Sequence, residues 1–566
     1  MAIHSRTWIV LILQAVCVVQ AAFGGHPKVA RDLDLVFPGD KVDVIVQYRR
    51  EAYDRIAGAA KSRHAHVQEI VAKGSLRSLS SEVLSVRARD LALIADDPDV
   101  EFVWPDRTVR SLSFSGSPDY GWIAVGAQAA TARFGLDGSG IGIAVIDSGI
   151  DEHPDLNSTG KRVRFAANLV ASERDSRDGY GHGTHVAGII AGNGHALSAG
   201  QGNPVVRGIA AGANLIVFRV LDSSGAGTDS VVIRAIEQAI ELKSRYNIRV
   251  INLSLGRPVF HSSRIDPLCR AVEKAWAEGI VVVVAAGNEG RNNQFGTEGY
   301  GTITTPGNSP RVITVGAINT IGTEIRSDDK IASYSSKGPT SVDHVVKPDL
   351  VAPGNQVISL LAKGSLLERT HPENRVPMWL FRNGGSDRSS EYFQLSGTSM
   401  AAPMVSGAVA LLLQKEPHLT PDQVKYRLMK TAFRGLPAET SSTDPVTGIT
   451  YRNRSDLFTI GAGYLDISAA LVDKSVPIGS AESPIATYDA LSGRVSLVQA
   501  SAAMWGTAAM WGTAAMWGTA AMWGTAAMWG TSSPTATAAM WGTAAMWGTS
   551  TTRLSDAATV ATAGER

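Results

Sequence analysis

The chain contains very little cysteine. Its 566 residues include only Cys17 and Cys269, and we expect the segment that carries Cys17 to be removed during maturation. One remaining thiol cannot form an internal disulfide, so the cysteine content gives no indication of an oxidising compartment.

An excess of charge of either sign is also absent. Lys and Arg together number 53, and Asp and Glu number 52. The chain therefore has no excess of basic residues of the kind that binds nucleic acid, and we exclude nucleic acid as a partner. The length predicts about three or four structural units, and the 44% of hydrophobic residues is enough to form a globular core.

Long hydrophobic runs are missing except at the N-terminus. There Arg6 precedes the apolar run Trp8–Val19, and small residues follow at positions 21, 22 and 24. A positive residue, a short apolar run and small residues predict a cleaved signal peptide, residues 1–22, and secretion to the extracellular medium. The run is short for a transmembrane helix. After its removal we expect no membrane span; an uncleaved N-terminal anchor is the alternative.

A small α+β unit is predicted for residues 23–112. It begins with the strand-like alternation Val42–Tyr48, continues through a helical stretch and ends with a second strand-like segment, Val100–Asp106.

From residue 113 to residue 473 the pattern changes to alternating apolar runs and helical segments. Runs that are apolar on both faces are typical of a parallel sheet covered by helices. With a crossover helix over Asp229–Tyr246, they predict an α/β domain with a doubly wound, mainly parallel sheet, whose ligands bind at the carboxyl ends of the strands. The strand-like runs are Ile141–Ile146, Leu215–Val220, Val250–Leu253, Ile280–Val284 and Val312–Val315.

The last zone, residues 474–566, repeats the hexapeptide Met-Trp-Gly-Thr-Ala-Ala. No Asp, Glu, Lys or Arg occurs between Val495 and Thr552. Since side chains alternate along a strand, a period of six would place every Trp on one face. This favours either a tail that binds a polymer or a cell surface, or a low-complexity tail that self-associates.

Three segments carry residues suited to nucleophilic catalysis. A serine hydroxyl needs a neighbouring base, histidine can serve as that base near neutral pH, and a carboxylate fixes the histidine tautomer. We expect Pro403 to be tolerated within the first turn of the helix that the serine opens. The candidates are Asp147 in Ala144–Gly149, His182 in Asp178–Gly188 and Ser399 in Ser396–Pro403.

A fourth segment, Val284–Gly290, places Asn288 just after a buried strand. Its side-chain amide is a candidate hydrogen-bond donor to an oxyanion. The helix that begins at Ser399 would supply a second donor, because the first backbone N–H groups of a helix have no partner within it.

These four segments, in the order Asp, His, Ser, resemble those of the subtilisin-like serine peptidases, the subtilases of peptidase family S8. The resemblance covers about Pro118–Asp473 and includes Lys337–Pro339, Lys347–Gly354 and Gly461–Asp466. It implies a serine endopeptidase that acts on proteins or peptides. By this resemblance Asp147 orients the base, His182 is the base, Ser399 is the nucleophile and Asn288 stabilises the oxyanion.

The resemblance also implies a substrate site that holds an extended peptide by adding it to a sheet edge, which favours broad specificity. Apolar or aromatic residues are expected on the acyl side of the cleaved bond, and Glu289 would also admit a basic one. The substrate-binding residues that the resemblance implies are Ser254, Leu255, Gly256, Gly225, Ala226, Gly227 and Gly287.

The first unit resembles the family's inhibitory propeptide (inhibitor I9-like), with autocleavage between about residues 107 and 119.

We predict no metal and no cofactor. The loop Asn193–Val206 differs from the family's calcium-binding loop and has no carboxylate cluster, although backbone carbonyls leave a structural calcium possible. His182 and His185 have the spacing of a zinc pair on a helix, but the glutamate of H-E-x-x-H enzymes is absent. The alternative function is a secreted binding or adhesion protein that acts through the Trp tail and has an inactive protease-like scaffold.

Overall fold

The computed structural model divides the chain into two compact units between Arg107 and Thr108. The predicted signal peptide and the Trp repeat lie outside the described residues. Within the described part of the chain, no helix is long and apolar enough to cross a membrane. The structure describes residues 26–498 except 31–32, 34–35, 58–59, 65, 68, 112–120, 159, 198–205, 294–295, 382–386, 445–447, 478 and 490–493.

The first unit is an antiparallel sheet with short helices, as predicted. The strands follow the order β2-β3-β1-β4, and every neighbouring pair is antiparallel. The predicted strand segments correspond to β1 and β4. The elements are β1 (Lys41–Tyr48), β2 (Val71–Leu76), β3 (Ser81–Arg87), β4 (Val100–Pro105), α1 (Arg50–Ile56), α2 (Ala60–Arg63) and α3 (Leu91–Ala95).

The second unit is built on a sheet of eight strands. Their order is β14-β13-β12-β10-β6-β8-β7, with β15 also paired to β13. All pairs are parallel except β13–β14. The strands are β6 (Gly142–Asp147), β7 (Val163–Asn168), β8 (Asn214–Arg219), β10 (Ile248–Leu253), β12 (Val281–Ala285), β13 (Ile313–Asn319), β14 (Lys330–Ile331) and β15 (Leu350–Pro353).

Burial explains why the predicted runs within these strands are apolar on both faces. Every residue of β6, β12, β13 and β15 is buried, as expected for a parallel sheet covered on both faces. The predicted doubly wound α/β fold is therefore confirmed. It gathers the carboxyl ends of β6, β10 and β12 at one edge of the sheet.

Helices flank this sheet in two packed pairs. Helix α7 packs on α12, which also contacts β10, β12, β13 and β15, and α8 packs on α10. The helices are α4 (Gly121–Ala124), α5 (Ala127–Phe134), α6 (Pro154–Asn157), α7 (His182–Ala191), α8 (Asp229–Glu241), α9 (Lys243–Tyr246), α10 (Pro267–Ala277), α11 (Leu366–Thr370), α12 (Thr398–Lys415), α13 (Pro421–Lys430), α14 (Leu457–Ile460) and α15 (Ile467–Val472).

The predicted crossover helix is not continuous. It is divided at Leu242, whose backbone has φ −85° and ψ −2°, and it ends at Asn247 in the left-handed region, with φ 47°. The apolar residues on which the prediction rested lie between Val231 and Ile240, all before this break, so they gave no information about residues 243–246.

Four smaller sheets complete the second unit. They have the orders β11-β5-β9, β16-β18-β17, β19-β20 and β21-β22, and every pair is antiparallel. Their strands are β5 (Thr108–Ser111), β9 (Ala226–Thr228), β11 (Leu255–Gly256), β16 (Val357–Leu360), β17 (Arg375–Pro377), β18 (Arg388–Leu395), β19 (Glu439–Thr443), β20 (Thr450–Arg454), β21 (Ile485–Asp489) and β22 (Arg494–Val498).

The position of Pro403 differs from the expectation. Helix α12 begins at Thr398, so Pro403 lies in its second turn, where a proline removes the backbone bond to the carbonyl four residues earlier. That carbonyl belongs to Ser399, and it accepts a hydrogen bond from Oγ of Ser254 at 2.9 Å instead. The hydroxyl of Ser254, directly after β10, thus replaces the backbone N–H that Pro403 lacks.

Packed residues continue beyond position 473. Oγ of Ser483 donates to Oδ1 of the buried Asp349 at 2.5 Å, and the ammonium group of Lys425 donates to Ser483 at 2.9 Å. The hairpin β21-β22 follows. The boundary at residues 473 and 474 stays a prediction.

Candidate active site

Two side chains meet at the carboxyl end of the central strand β6. Asp147 is the last residue of β6, and its Oδ1 lies 2.7 Å from Nδ1 of His182, the first residue of α7. The same oxygen accepts the N–H of Ser148 at 2.7 Å. Asp147 is 1% and His182 0% exposed. This geometry fixes the imidazole so that Nε2 is the atom left for proton transfer, and Nε2 has no partner among the described residues.

Asp178 holds the beginning of α7. Its Oδ1 accepts the N–H of Gly181 and its Oδ2 the N–H of Thr184, both at 2.7 Å. The hydroxyl of Ser148 also donates to Asp178, at 2.7 Å. Burial raises the pKa of this carboxyl, although these donors oppose the shift. Asp178 therefore links the turn after Asp147 to the helix that begins with His182.

Ser399 lies in the first turn of α12 and is completely buried. Its hydroxyl donates to the carbonyl oxygen of Ser254 at 3.0 Å. No hydrogen bond between Ser399 and His182 is present among the described contacts. Catalytic hydrogen bonds are often formed only when substrate binds, and the present bond directs the hydroxyl to the end of β10.

Asn288 is oriented by residues next to the serine. Its Oδ1 accepts the backbone N–H of Thr398 and the hydroxyl of Thr398, both at 3.0 Å. Since a backbone N–H can only donate, the atom facing it must be the oxygen, which sets the amide orientation. Nδ2 of Asn288 has no partner among the described residues and is available to an oxyanion.

Gly287 completes this turn. Its N–H donates to the hydroxyl of Thr398 at 3.1 Å, so that hydroxyl is left to donate to Asn288. The φ of Gly287 is 107°, and an added Cβ would lie 2.7 Å from Thr304 and 2.8 Å from Ser336. A larger residue would therefore disturb the loop that holds Asn288.

His185 does not form a metal pair with His182. Its Nε2 lies 3.1 Å from the carbonyl oxygens of both Val357 and Phe393. Burial and the proximity of His182 lower the pKa of this imidazole to about 3. His185 is thus a neutral, packed donor. Among the residues that the structure describes, no group of three or more His, Cys, Asp or Glu side chains could hold a metal ion.

A buried arginine occupies an oxygen-rich cluster near α6 and α7. The guanidinium of Arg162 donates to the carbonyl oxygens of Asp155, Ala191 and Ala211. The carboxylate of Asp155 accepts the hydroxyl of Tyr392 at 2.7 Å. These oxygens thus have donors from the protein itself. Most of the predicted loop beyond α7, residues 198–205, lies outside the described part of the chain.

The predicted substrate-binding segments form the two outer strands of a three-stranded sheet. Strand β5 lies between them: Ser111 is opposite Leu255, Arg110 is opposite both Gly256 and Ala226, and Val109 is opposite Gly227. The chain's own backbone therefore occupies the position in which an extended peptide would add to both strands.

Gly225 precedes β9 and lies against an aromatic ring. It has φ 79°, and an added Cβ would be 2.7–3.0 Å from ring atoms of Tyr180. The centroid of the Tyr180 ring is 6.3 Å from that of His182. This tyrosine therefore lies between the base candidate and the edge strand.

Helix α11, between β16 and β17, contacts the residues that precede His182. The N–H groups of Leu366 and Leu367, at the beginning of α11, donate to the carbonyl oxygens of Gly179 and Tyr180 at 2.9 and 3.0 Å. Helix α11 thus supports the residues that precede His182.

The structure brings Asp147 and His182 together, and it places Ser399 and Asn288 on neighbouring turns joined by Thr398. Sequence reasoning missed the positioning residues Thr398 and Asp178. The available signals were an acid in the same short motif as His182 and a threonine directly before the serine.

The fold and this site define a subtilisin-like α/β protein with an Asp-His pair and a serine at a helix N-terminus. The model of the subtilase family matches residues 138–463. The chain belongs to the subtilase family.

Its relatives include known proteases. The chain is 42% identical over 299 residues to serine protease AprX of Bacillus subtilis (strain 168), a match covering 51% of this chain and 60% of AprX. It is 38% identical over 338 residues to subtilisin E of the same strain, covering 59% of this chain and 71% of subtilisin E.

A solved structure with the same fold is fervidolysin from Fervidobacterium pennivorans, described as a keratinolytic enzyme related to subtilisin. The match has a TM-score of 0.55 and 25% identity, and it covers 78% of this chain and 62% of fervidolysin. The chain thus spans less than two thirds of the length of AprX and of fervidolysin.

Proposed function

We propose that the protein is a secreted serine endopeptidase synthesised as a precursor, acting without a cofactor. The observation that carries this proposal is the buried contact between Asp147 and His182, the first residue of a helix that packs on the helix whose first turn holds Ser399. Ser399 is the nucleophile, His182 the general base and Asp147 the group that orients it. The relative named serine protease AprX supports the same activity.

The proposed reaction proceeds through an acyl-enzyme. Oγ of Ser399 attacks the carbonyl carbon of the scissile peptide bond while Nε2 of His182 takes the hydroxyl proton. Nδ2 of Asn288 and the N–H of Ser399 stabilise the oxyanion. The C–N bond then breaks, and His182 returns the proton to the leaving amine. Water, activated by the same imidazole, hydrolyses the ester and regenerates Ser399.

Main-chain pairing explains how a protein substrate would be held. The backbone pairing of β5 with β9 and β11 supports binding of an extended chain between these strands. Ladder bonds do not depend on side-chain identity, so broad specificity is expected. The cleaved bond would lie beside Ser254, whose carbonyl oxygen contacts the serine hydroxyl.

We propose that residues 23–112 are the inhibitory propeptide and residues 113–473 the catalytic domain. Ser111 pairs with Leu255, which directly follows Ser254. A cut just after β5, at the boundary of residues 112 and 113, is therefore the expected processing event. Removal of residues 1–22 on secretion completes the proposed organisation, and residues 474–566 form a low-complexity tail for which surface or polymer binding is the alternative.

The decisive experiment compares the wild-type chain with Ser399→Ala, both expressed without residues 1–22. We expect the wild type to lose about ninety N-terminal residues, as the proposed boundary implies, and to digest casein, while the variant stays full length and inactive. Intact mass and casein hydrolysis are the measurements. If both proteins stay full length and inert, the proposed function fails unless an added protease activates only the wild type.

A further inference from the structure

The two strands that flank β5 do not pair with each other. Strands β9 and β11 each pair with β5 and lie on its two sides. Because neighbouring strands are about 4.8 Å apart, β9 and β11 are separated by roughly 10 Å, the width of one inserted strand. When β5 leaves, no ladder hydrogen bonds remain to fix this separation.

One buried arginine connects the residues that directly follow these strands. Arg257 follows β11, and Asp229 follows β9. Nε of Arg257 donates to both carboxylate oxygens of Asp229, at 2.8 and 3.0 Å, and Nη2 donates to Asp266 at 2.7 Å. Arg257 is 2% exposed, and both aspartates are 0% exposed. The contact therefore lies in the interior, where salt screens it much less than at the surface.

Both carboxylates are attached to rigid elements. Asp229 is the first residue of α8, and Asp266 caps α10 by accepting the N–H groups of residues 268 and 269. These two helices pack on each other. The main chain of Arg257 is bonded in both directions to Thr305, at 3.1 and 2.8 Å. Burial opposes the positive charge, but the two carboxylates more than offset it and the pKa of the guanidinium is raised.

We propose that Arg257 is a positioning residue that fixes the distance between β9 and β11, so that the substrate slot keeps the width of one strand when it holds no peptide. This inference rests on the proposed function and adds a residue to it. Arg257 has no described contact with Asp147, His182 or Ser399, and it acts through the two strands. A preformed slot lowers the ordering cost of binding, and only substrates long enough to pair with both strands gain from it.

The test uses the double variant Arg257→Gln with Asp229→Asn in the full chain after processing. Replacing both residues leaves the net charge of the cluster unchanged, and the remaining carboxylate of Asp266 keeps the N–H groups of residues 268 and 269 as donors. Two p-nitroanilide substrates with the same phenylalanine at the cleaved bond are compared, a blocked tetrapeptide and a blocked single residue. For the tetrapeptide we expect KM to rise about tenfold with kcat changed less than about threefold, and for the single residue we expect both constants to stay within about threefold.

A control removes a second arginine–carboxylate pair, in which Arg427 is 2% exposed and the side chain of Glu416 is 33% exposed. Nη1 and Nη2 of Arg427, in α13, donate to the two carboxylate oxygens of Glu416 at 2.7 and 2.9 Å, and neither residue has a described contact with β9 or β11. The control, Arg427→Gln with Glu416→Gln, should lower the melting temperature without altering the dependence on substrate length. If the Arg257 variant is not recovered folded, Arg257→Lys replaces it, because lysine keeps the charge but not the fork of donors.

Equal losses on the long and the short substrate would overturn the inference, because lost stability alone produces them. A length dependence of the same size in the Arg427 control, or no change in the Arg257 variant, would overturn it as well. Failure of the proposed function is a separate result, in which the wild type cleaves neither substrate.

Discussion

Oδ1 of Asp147 and Nδ1 of His182 are 2.7 Å apart, and neither side chain is exposed by more than 1%. A charge-assisted hydrogen bond in such surroundings is stronger than in water. It holds one tautomer of the imidazole, with the proton on Nδ1 and a lone pair on Nε2. The base would therefore be ready before substrate binds.

Asp147→Asn removes this control of the tautomer. We expect kcat to fall by about 10⁴-fold, the scale found when a triad carboxylate is neutralised, because the asparagine amide favours the wrong tautomer. Hydrolysis of a peptide p-nitroanilide measures the loss. Asp151→Asn is the control, since Asp151 accepts the N–H of Asp178 at 3.2 Å and has no hydrogen bond to His182 among the described contacts. A comparable loss in both variants would contradict the assigned role.

Asn288→Ala removes one oxyanion donor. We expect kcat to fall by about 10²- to 10³-fold, with KM little changed, because the lost interaction forms only in the transition state. Steady-state kinetics separate the two constants. Thr398→Val keeps the side-chain amide of Asn288 and removes only the Thr398 hydroxyl that donates to it. We therefore expect a smaller loss in kcat for Thr398→Val than for Asn288→Ala. A rise in KM alone after Asn288→Ala would assign Asn288 to ground-state binding.

Gly225→Ala places a methyl group against the Tyr180 ring. The glycine has φ 79° and the new carbon would lie 2.7–3.0 Å from ring atoms, so β9 or the ring must move. We expect KM for extended peptides to rise by about tenfold or more, since strain of about 1–3 kcal/mol is relieved by moving the edge strand. Gly140→Ala is matched, because Gly140 has φ 83° but no atom within 4 Å of the added carbon. Equal kinetic effects would show that backbone strain, not the ring contact, is responsible.

The lowered pKa of His185 predicts that the protein becomes less stable to unfolding in acid. Burial lowers the pKa of its imidazole to about 3, while the unfolded chain binds this proton near pH 6.5. Between these values the unfolded state holds the extra proton, so the free energy of unfolding decreases as pH falls, by up to about 1.4 kcal/mol per pH unit. Below about pH 3 this contribution is fully lost.

Urea unfolding at pH 4–7 checks this, in the Ser399→Ala background to prevent self-digestion. His185→Gln should be less stable at pH 7, because two carbonyl contacts change, yet its stability should depend less on pH. The exposed His195, changed to Gln, is the control. An unchanged pH slope in the His185 variant would show that this proton is not linked to unfolding.

The central sheet and the candidate residues could be predicted from the sequence because each is indicated by a short, continuous segment. Runs apolar on both faces predicted a covered parallel sheet, and each of Asp147, His182 and Ser399 lies in its own short motif. A strand end or a helix start is specified by nearby residues, so single segments suffice.

The contacts that position those residues were not accessible, because they join distant parts of the chain. The bond from Ser254 to the carbonyl oxygen of Ser399 connects residues 145 positions apart, and it explains how α12 tolerates Pro403. The link between Arg257 and Asp229 is likewise tertiary. The periodicity of apolar residues does not predict which buried hydrogen-bond donor pairs with which acceptor.

Because β5 lies between two strands, cleavage of the precursor and release of the cleaved segment are two separate events. The ladder bonds of β5 are made by its backbone to β9 and β11, and none of them is lost when a bond beyond Ser111 is cut. On the proposed function, the cut chain end would remain bound as a product. The appearance of activity would then be timed by the departure of this strand, and a lag would separate the change in mass from the first turnover.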